Sequence, residues 1–497
     1  MKATVYIKNT LTGKKEPFVP LVPGKMGMYV CGPTVYGEPH LGHARSAITF
    51  DIVYRYFSYL GYQVRYVRNI TDVGHLEDEV NGQGEDKIAK KARLERLEPM
   101  EVAQYYTNLY RKMIASLNVL PPSIEPTASG HIIEQIAIVE RIIANGMAYE
   151  AEGSVYFDLK AYLEKYPYGE LSGRMPNEMM AGSRILDGQK EKKHPADFAL
   201  WKKAGAQHIM QWNSPWGMGF PGWHLECTAM SHKYLGFPFD LHGGGMDLKF
   251  PHHEAEVAQS YAAFGCKPVN YWMHNNMMTL EGQKMSKSKD NFITIAQMFS
   301  GKHPLLNKAY SPTTVRFLML QAHYGSTIDF SRQALHSAEK ACHKLLDGLR
   351  VLNELSVIPS GPIDDALTGR TLQLCKACFD TMNDDFNTAE TIACLFELYT
   401  IVQTINDHQH SKTISQEALI QLKKIYPDFL TQVLGIVPKD EATTSLLPQV
   451  MDILLDLRHQ ARKENNFTLS DIIRDQLLTL GIHIRDEKEG TSYQIKS

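Results

Sequence analysis

Residues 27–67 constrain the fold more than any other stretch. Residues 27–30, running into Cys31, read as a short strand, which Gly32-Pro33 then breaks. From 44 to 60 the chain places Ile48, Ile52, Val53 and Phe57 at helical spacing. Residues 63–67 alternate and carry valines, which reads as a second strand. Strand, Gly/Pro loop, helix and strand make a βαβ unit, and such a unit implies a parallel sheet. Ligands of open parallel sheets lie beyond the carboxyl ends of the strands. The loop after Cys31 is therefore where a site is expected.

His40-Leu41-Gly42-His43 falls in that loop, where the next helix begins. Backbone N–H groups and the positive helix end favour anions there. Two imidazoles can hydrogen-bond phosphate oxygens as charge shifts in a transition state, and Gly42 lets a nucleotide base approach the backbone. Far downstream, Lys284-Met285-Ser286-Lys287-Ser288 with Lys289 gathers cations and hydroxyls beside Gly282. A loop with several N⁺–H donors suits a departing pyrophosphate. Taken singly, these are two turn histidines and a solvated basic loop; their order and distance make the pair informative.

Phe250-Pro251-His252-His253-Glu254-Ala255-Glu256 carries a third pattern. Pro251 suits the first position of a helix. His252 and Glu256, four apart, then project from one face. Such a nitrogen and oxygen suit a borderline cation that takes thiolates from elsewhere, and Cys31 and Cys227 could supply them. His253 and Glu254 are the next-best ligands. Upstream, residues 239–242 read as a strand leading through Gly243-Gly244-Gly245 to this helix.

A chain of 497 residues exceeds what one core supports, so two to four domains are expected. The net charge of −3 excludes a global basic field but not a local RNA-binding stripe. Seven sparsely spaced cysteines argue against a disulfide framework and for a reducing, cytoplasmic setting. Neither a leader nor a membrane-length apolar run is apparent. Cys375 and Cys378 have metal-site spacing, yet with Leu372, Leu374 and Phe379 they trace one apolar helical face and read as core. Residues 85–97 read as a charged helix, and 132–145 as an amphipathic one closed by Gly146. Residues 187–222 read as a partly irregular insertion, and from about 315 to the end the periodicity is mostly helical.

HLGH and KMSKS resemble the two signature motifs of class I aminoacyl-tRNA synthetases. Within that class the chain is similar to the cysteinyl-tRNA synthetases over almost its whole length. The matching segments are MYVCGPTVYGEPHLGHARSAITFD, RYVRNITD, DFALWK, SPWGMGFPGWHLECTAM, DLHGGGMDLKFPHHEAEVAQS, KMSKS, DDFNT and ARKENNF…IRDQLLTLGIHIRD…GTSY. The resemblance implies an α/β fold: a Rossmann-like parallel-sheet catalytic domain with an insertion, then helical tRNA-binding domains. Expected boundaries are 1–315 (insertion about 118–222), 316–436 for a helical bundle and 443–497 for an anticodon-binding domain.

The implied reaction joins L-cysteine to ATP as cysteinyl adenylate and then to the 3′ end of tRNA(Cys). His40, His43, Lys284 and Lys287 would be catalytic. Gly42, Gly244, Asp247 and Lys287 would bind ATP with Mg2+, residues 243–245 and Asp247 resembling the turn that contacts ribose and adenine. Thr71, Trp223 and His242 would line the amino-acid pocket. The family's single zinc would fall to Cys31, Cys227, His252 and Glu256. Zinc separates cysteine from serine chemically, because a bound thiol ionises to a soft, strong ligand where a hydroxyl does not. Shape alone yields only about 1–3 kcal/mol for so small a difference. Arg462, Phe467, Asp471 and Asp486 fall where relatives contact anticodon bases; Phe467 is commonly tryptophan in them. After TDV the segment GHLEDEVNGQGEDKI departs from the family's compact acidic-Lys element. A cytoplasmic monomer without membrane contact is expected. Alternatives are a ligase joining cysteine to an amino sugar on the same core, or a non-catalytic RNA-binding paralogue. The ending ARKENNF…GTSY argues against the first and the intact motifs against the second.

Overall fold

The computed structural model describes residues 4–74, 76–78, 83–174, 191–205, 208–284, 292–355, 362–407, 413–438, 447–464, 466–479, 482–487 and 490–495. They form two compact units, Met1–Val437 and Pro438–Ser497.

The sheet that organises the first unit uses β1 (Lys25–Val30), β2 (Gln63–Arg68), β3 (Phe239–Gly245) and β4 (Val269–Asn275). Its order is β4-β3-β1-β2, and all neighbours are parallel. Helix α1 (Leu41–Tyr59) makes the crossover from β1 to β2. After β2 the chain returns to the other side of β1, so the order reverses between β1 and β3. The crevice at their carboxyl ends is the switch point where ligands of such sheets bind.

Helix α1 begins at Leu41, three residues before the helical periodicity becomes visible, because His40 caps it. Gly42 N donates to His40 Nδ1 at 3.1 Å, and His40 N donates to His43 Nδ1 at 3.1 Å. Ile48, Ile52, Val53 and Phe57 are buried as their spacing predicts. Each such side chain contributes about 1.5–3 kcal/mol on burial. Arg45, Asp51 and Arg55 on the same helix are buried too, so it is enclosed on more than its apolar stripe. Asp51 is held by Arg55 Nε at 2.8 Å and by the fully buried Arg316, whose Nε donates to Leu434 O at 2.7 Å.

Two local expectations change. Residues 243–245 are not a turn; they extend β3 and pair with Met273, His274 and Asn275 of β4. Their glycines serve close packing: a Cβ on Gly243 would lie 2.1 Å from Phe50 of α1, and one on Gly244 2.7 Å from the His253 ring. Pro251 occupies the cap and not the first helical position, so α3 runs His252–Phe264. The i, i+4 relation of His252 and Glu256 is unaffected.

Between β2 and α2 (Trp223–Leu235) lies an antiparallel sheet in the order Gly219–Pro221, Phe198–Lys203, Ser154–Phe157, Ala148–Ala151. Two of its strands come from the stretch expected to be irregular. Phe198, Leu200 and Trp201 are buried there, and tertiary pairing overrides the weak local signal. Helix Ile132–Ala144 packs beside this sheet and is followed by Gly146 at φ +77°. Beyond β4 come helices Pro312–Leu320, Arg332–Glu354, Asp365–Asn383, Thr388–Asp407 and Gln416–Pro427. Cys375 and Cys378 are core residues of this array.

The second unit pairs helices Leu447–Lys463 and Phe467–Thr479 around Met451, Leu477 and Ile482. It does not end as a helix. Ile482–Glu487 and Gly490–Ile495 form an antiparallel hairpin, with Ile482 opposite Ile495 and Ile484 opposite Tyr493. The alternation of Ile482 and Ile484 carries that strand signal. No helix among the described residues is long and apolar enough to cross a membrane.

Candidate active site and metal centre

A cavity of about 410 Å3 opens at the switch point. Cys31, just past β1, stands on its wall with Trp223 at the first turn of α2 and His252 at the start of α3. His40, Gly42 and His43 at the head of α1 form another side, with Thr71 after β2 and Asp247 after β3. Residues from segments more than 200 positions apart, such as Cys31 and His252, thus share one cleft. Gly244, His242, Cys227 and Glu256 lie behind this wall and are buried.

Four donors converge at its base. Cys31 Sγ is 3.4 Å from Cys227 Sγ and 3.8 Å from Glu256 Oε1. His252 Nε2 is 3.4 Å from Cys227 Sγ and 3.3 Å from Glu256 Oε1. A tetrahedron with metal–ligand bonds of about 2.0–2.3 Å has edges of about 3.3–3.8 Å. The four side chains therefore fit a small tetrahedral cation, and two sulfurs, a nitrogen and an oxygen match zinc. Burial pushes the Cys31 thiol up to about 12 and Cys227 well above the ordinary thiol range, the neighbouring thiol adding to the latter. A divalent cation among them would stabilise both thiolates.

The next-best ligands are disposed differently. Glu254 accepts from Gly169 N at 3.0 Å and Ser172 N at 2.6 Å, so its carboxylate ties down a loop. His253 Nε2 lies 3.2 Å from Cys31 Sγ, giving an overlapping donor set of Cys31, His242, His253 and Glu256. That set holds one thiolate where the first holds two. His253 Nδ1 is 2.8 Å from His274 Nε2, and His274 Nδ1 is 2.9 Å from Thr10 Oγ1. Burial drives the pKa of His253 well below the usual histidine value. A neutral His253 in this row supports the cluster by hydrogen bonding to Cys31. His242 meets Glu256 Oε2 at 2.9 Å and stacks on Trp272 at 4.4 Å, holding the carboxylate from behind.

At the head of α1, the His40 and His43 rings stack at 3.9 Å. Each Nδ1 accepts a backbone N–H, which leaves the ring proton on Nε2. Both imidazoles are thereby set as Nε2–H donors at a helix N-terminus, an arrangement suited to phosphate oxygens. Lys284 lies in the short strand Gln283–Lys284, paired with Thr279. Residues 285–291, and with them Lys287, lie outside the described residues.

The comparisons with known proteins agree with this geometry. Residues 17–340 match the class I (C) tRNA synthetase catalytic domain, and residues 379–438 match the DALR domain. A Porphyromonas gingivalis cysteine–tRNA ligase is 53% identical over 500 residues, covering 100% of both chains. The chain belongs to the cysteine–tRNA ligase family. Family members from Cytophaga hutchinsonii and Chlorobaculum tepidum are 54% and 46% identical, each over 99% of this chain and at least 98% of their own. The fold is also that of a Mycobacterium tuberculosis methionyl-tRNA synthetase bound by methionyl-adenylate. That likeness has a TM-score of 0.58 at 16% identity, over 83% of this chain and 92% of the other.

In the second unit Arg462 is exposed in the last turn of its helix, and Phe467 begins the next helix with 56% of its surface exposed. Asp471 lies four residues on and pairs with Arg474 at 3.1 Å. Asp486 belongs to the hairpin strand Ile482–Glu487.

Two site residues escaped the sequence reading. Asn69 Oδ1 accepts from Gly32 N at 2.9 Å and lies 3.8 Å from Cys227 Sγ, binding the loop after β1 to the candidate metal-ligand cluster. Glu226 is fully buried on α2 and accepts from Thr71 Oγ1 at 2.5 Å. Its i, i+3 spacing from Trp223 was the available signal, since such residues share a helix face.

Proposed function

We propose that this protein is a cysteine–tRNA ligase, which activates L-cysteine with ATP to cysteinyl adenylate and transfers it to the 3′ end of tRNA(Cys). The full-length relationship to cysteine–tRNA ligases carries this reading. The mixed thiolate, imidazole and carboxylate cluster on the floor of the switch-point cavity is its chemical counterpart.

One zinc ion per chain is held by Cys31, Cys227, His252 and Glu256, in preference to the set with a single thiolate. When bound, zinc supplies a soft Lewis acid for the substrate sulfur, which selects cysteine over serine. The chain's own residues do the rest by orientation and charge stabilisation. Trp223 and Thr71 confine the amino acid, with His242 supporting the pocket through Glu256. His40 and His43 donate Nε2–H to phosphate oxygens, Gly42 lets the nucleotide approach α1, and Asp247 borders the ribose and adenine, with Gly244 packed behind it against His253. Lys284 and Lys287 neutralise the departing pyrophosphate, with Mg2+ on the ATP phosphates.

The catalytic part spans 1–315 with the insertion at about 118–222, a helical domain follows at 316–436, and 443–497 reads the anticodon through Arg462, Phe467, Asp471 and Asp486. An exposed guanidinium and aromatic stack on splayed bases while carboxylates accept from exocyclic amines. The protein acts as a cytoplasmic monomer. A matching DALR domain and a further unit beyond it favour tRNA as acceptor over an amino sugar. The deciding experiment is pyrophosphate exchange with cysteine and with serine, followed by charging of tRNA(Cys). Exchange with cysteine alone and charging of tRNA(Cys) are expected; exchange with serine at a comparable rate would overturn the assignment.

A further inference from the structure

Among the described residues, three carboxylates border the switch-point cavity: Glu38, Glu226 and Asp247. Glu38 and Asp247 are exposed and solvated, whereas Glu226 is only 2% exposed. One of its oxygens, Oε1, takes the Thr71 hydroxyl at 2.5 Å. The other, Oε2, is buried and finds no hydrogen-bond partner among the described residues. Nor does Glu226 form an ion pair among them. Asp72, next to Thr71, is occupied elsewhere: its Oδ1 accepts from Ser129 N at 2.8 Å and its Oδ2 from the Ser129 hydroxyl. A desolvated carboxylate with an open acceptor on a ligand cavity calls for a cationic donor. The reading of this cavity as an amino-acid site supplies one, the substrate α-ammonium, and the inference rests on that reading.

Glu226 directly precedes Cys227 and shares the cavity wall with Cys31 and His252. Thr71 Oγ1, which donates to Glu226, also accepts from Asn69 Nδ2 at 3.2 Å, and Asn69 Oδ1 lies 3.8 Å from Cys227 Sγ. A short hydrogen-bonded chain thus joins the carboxylate to the sulfur-binding cluster. In cysteine two carbons separate thiol and ammonium, so one molecule can engage both ends. We infer that Glu226 is the specificity residue that receives the α-ammonium group of the substrate, with Thr71 fixing its orientation. The cluster then reads the sulfur and Glu226 reads the amine. A thiol without a correctly placed amine is held at one end only.

The test pairs a residue change with the removal of a substrate group. Glu226→Gln keeps the shape and an oxygen for the Thr71 hydroxyl but presents an amide to the ammonium. Inhibition of cysteine-dependent pyrophosphate exchange is measured with cysteamine, which has thiol and amine, and with 3-mercaptopropionate, which has thiol and carboxylate. Glu226→Gln is expected to raise the KM for cysteine and the inhibition constant of cysteamine about 10–100-fold, the range for a hydrogen bond to a charged group. The constant for 3-mercaptopropionate and the zinc content should stay within about twofold of the wild type on this reasoning, since neither depends on the lost charge. Glu226→Asp should recover part of the cysteamine affinity. Equal weakening of both inhibitors, or of neither, would overturn the assignment, and because both are read on one variant, a general loss of fold cannot imitate the expected result. Failure of the wild-type chain to exchange pyrophosphate with cysteine would instead overturn the ligase reading itself.

Discussion

Replacing Cys227 with serine tests the metal centre most directly. The thiol is fully buried, with Sγ 3.4 Å from both Cys31 Sγ and His252 Nε2. Serine is slightly smaller, so it introduces no clash, and the change is one of donor chemistry. A serine hydroxyl at that buried position does not ionise at neutral pH, so a soft anionic donor becomes a weak neutral one. Four-ligand structural zinc sites carry about 10–16 kcal/mol of apparent binding free energy, so one strong ligand contributes about 2.5–4 kcal/mol. That corresponds to a loss of about 100- to 1000-fold in zinc affinity. Competition with a calibrated chelator measures it, with zinc per chain read by atomic emission and folding by the melting curve. Cysteine-dependent pyrophosphate exchange should fall in parallel with zinc content. A variant that keeps one tightly held zinc and full exchange activity would refute the reasoning.

If Lys287 has the proposed role, Lys287→Ala should lower the exchange kcat by about 100-fold or more with little change in the KM for cysteine, because the charge would act on the developing pyrophosphate; a change confined to KM would contradict this. Deletion of 443–497 should leave cysteine-dependent exchange intact and abolish charging of tRNA(Cys), measured with the two assays side by side. Arg316→Met removes one of two guanidinium partners from buried Asp51 and should destabilise the first unit by about 3–5 kcal/mol, read as a lowered melting midpoint. Burial, reinforced by the nearby Lys249 and by neighbouring His242, holds His274 at a pKa of about 3. The unfolded chain takes up that proton near pH 6.5 and the folded chain does not, so stability falls as pH drops from about 6.5 towards 3, by up to about 1.4 kcal/mol per unit. His274→Gln should flatten that slope in urea unfolding between pH 5 and 7; an unchanged slope would show that other groups set it.

Much of this protein was legible in the order of its residues. The βαβ unit, the histidine pair at a helix start and the His252–Glu256 face all depend on local periodicity and capping, and local rules act over a few residues wherever the chain goes. The glycines at 243–245 were misjudged for the same reason. A glycine run looks like a turn until β4 pairs with it and Phe50 presses against it. Tertiary structure alone decided that Cys31 and Cys227, 196 positions apart, would stand 3.4 Å from one another. It also decided that Glu226 would be buried on a ligand cavity instead of solvated on a helix surface. Burial, and with it the demand for a partner charge, depends on which elements pack together, and a strand order that reverses between β1 and β3 is not written in any single segment.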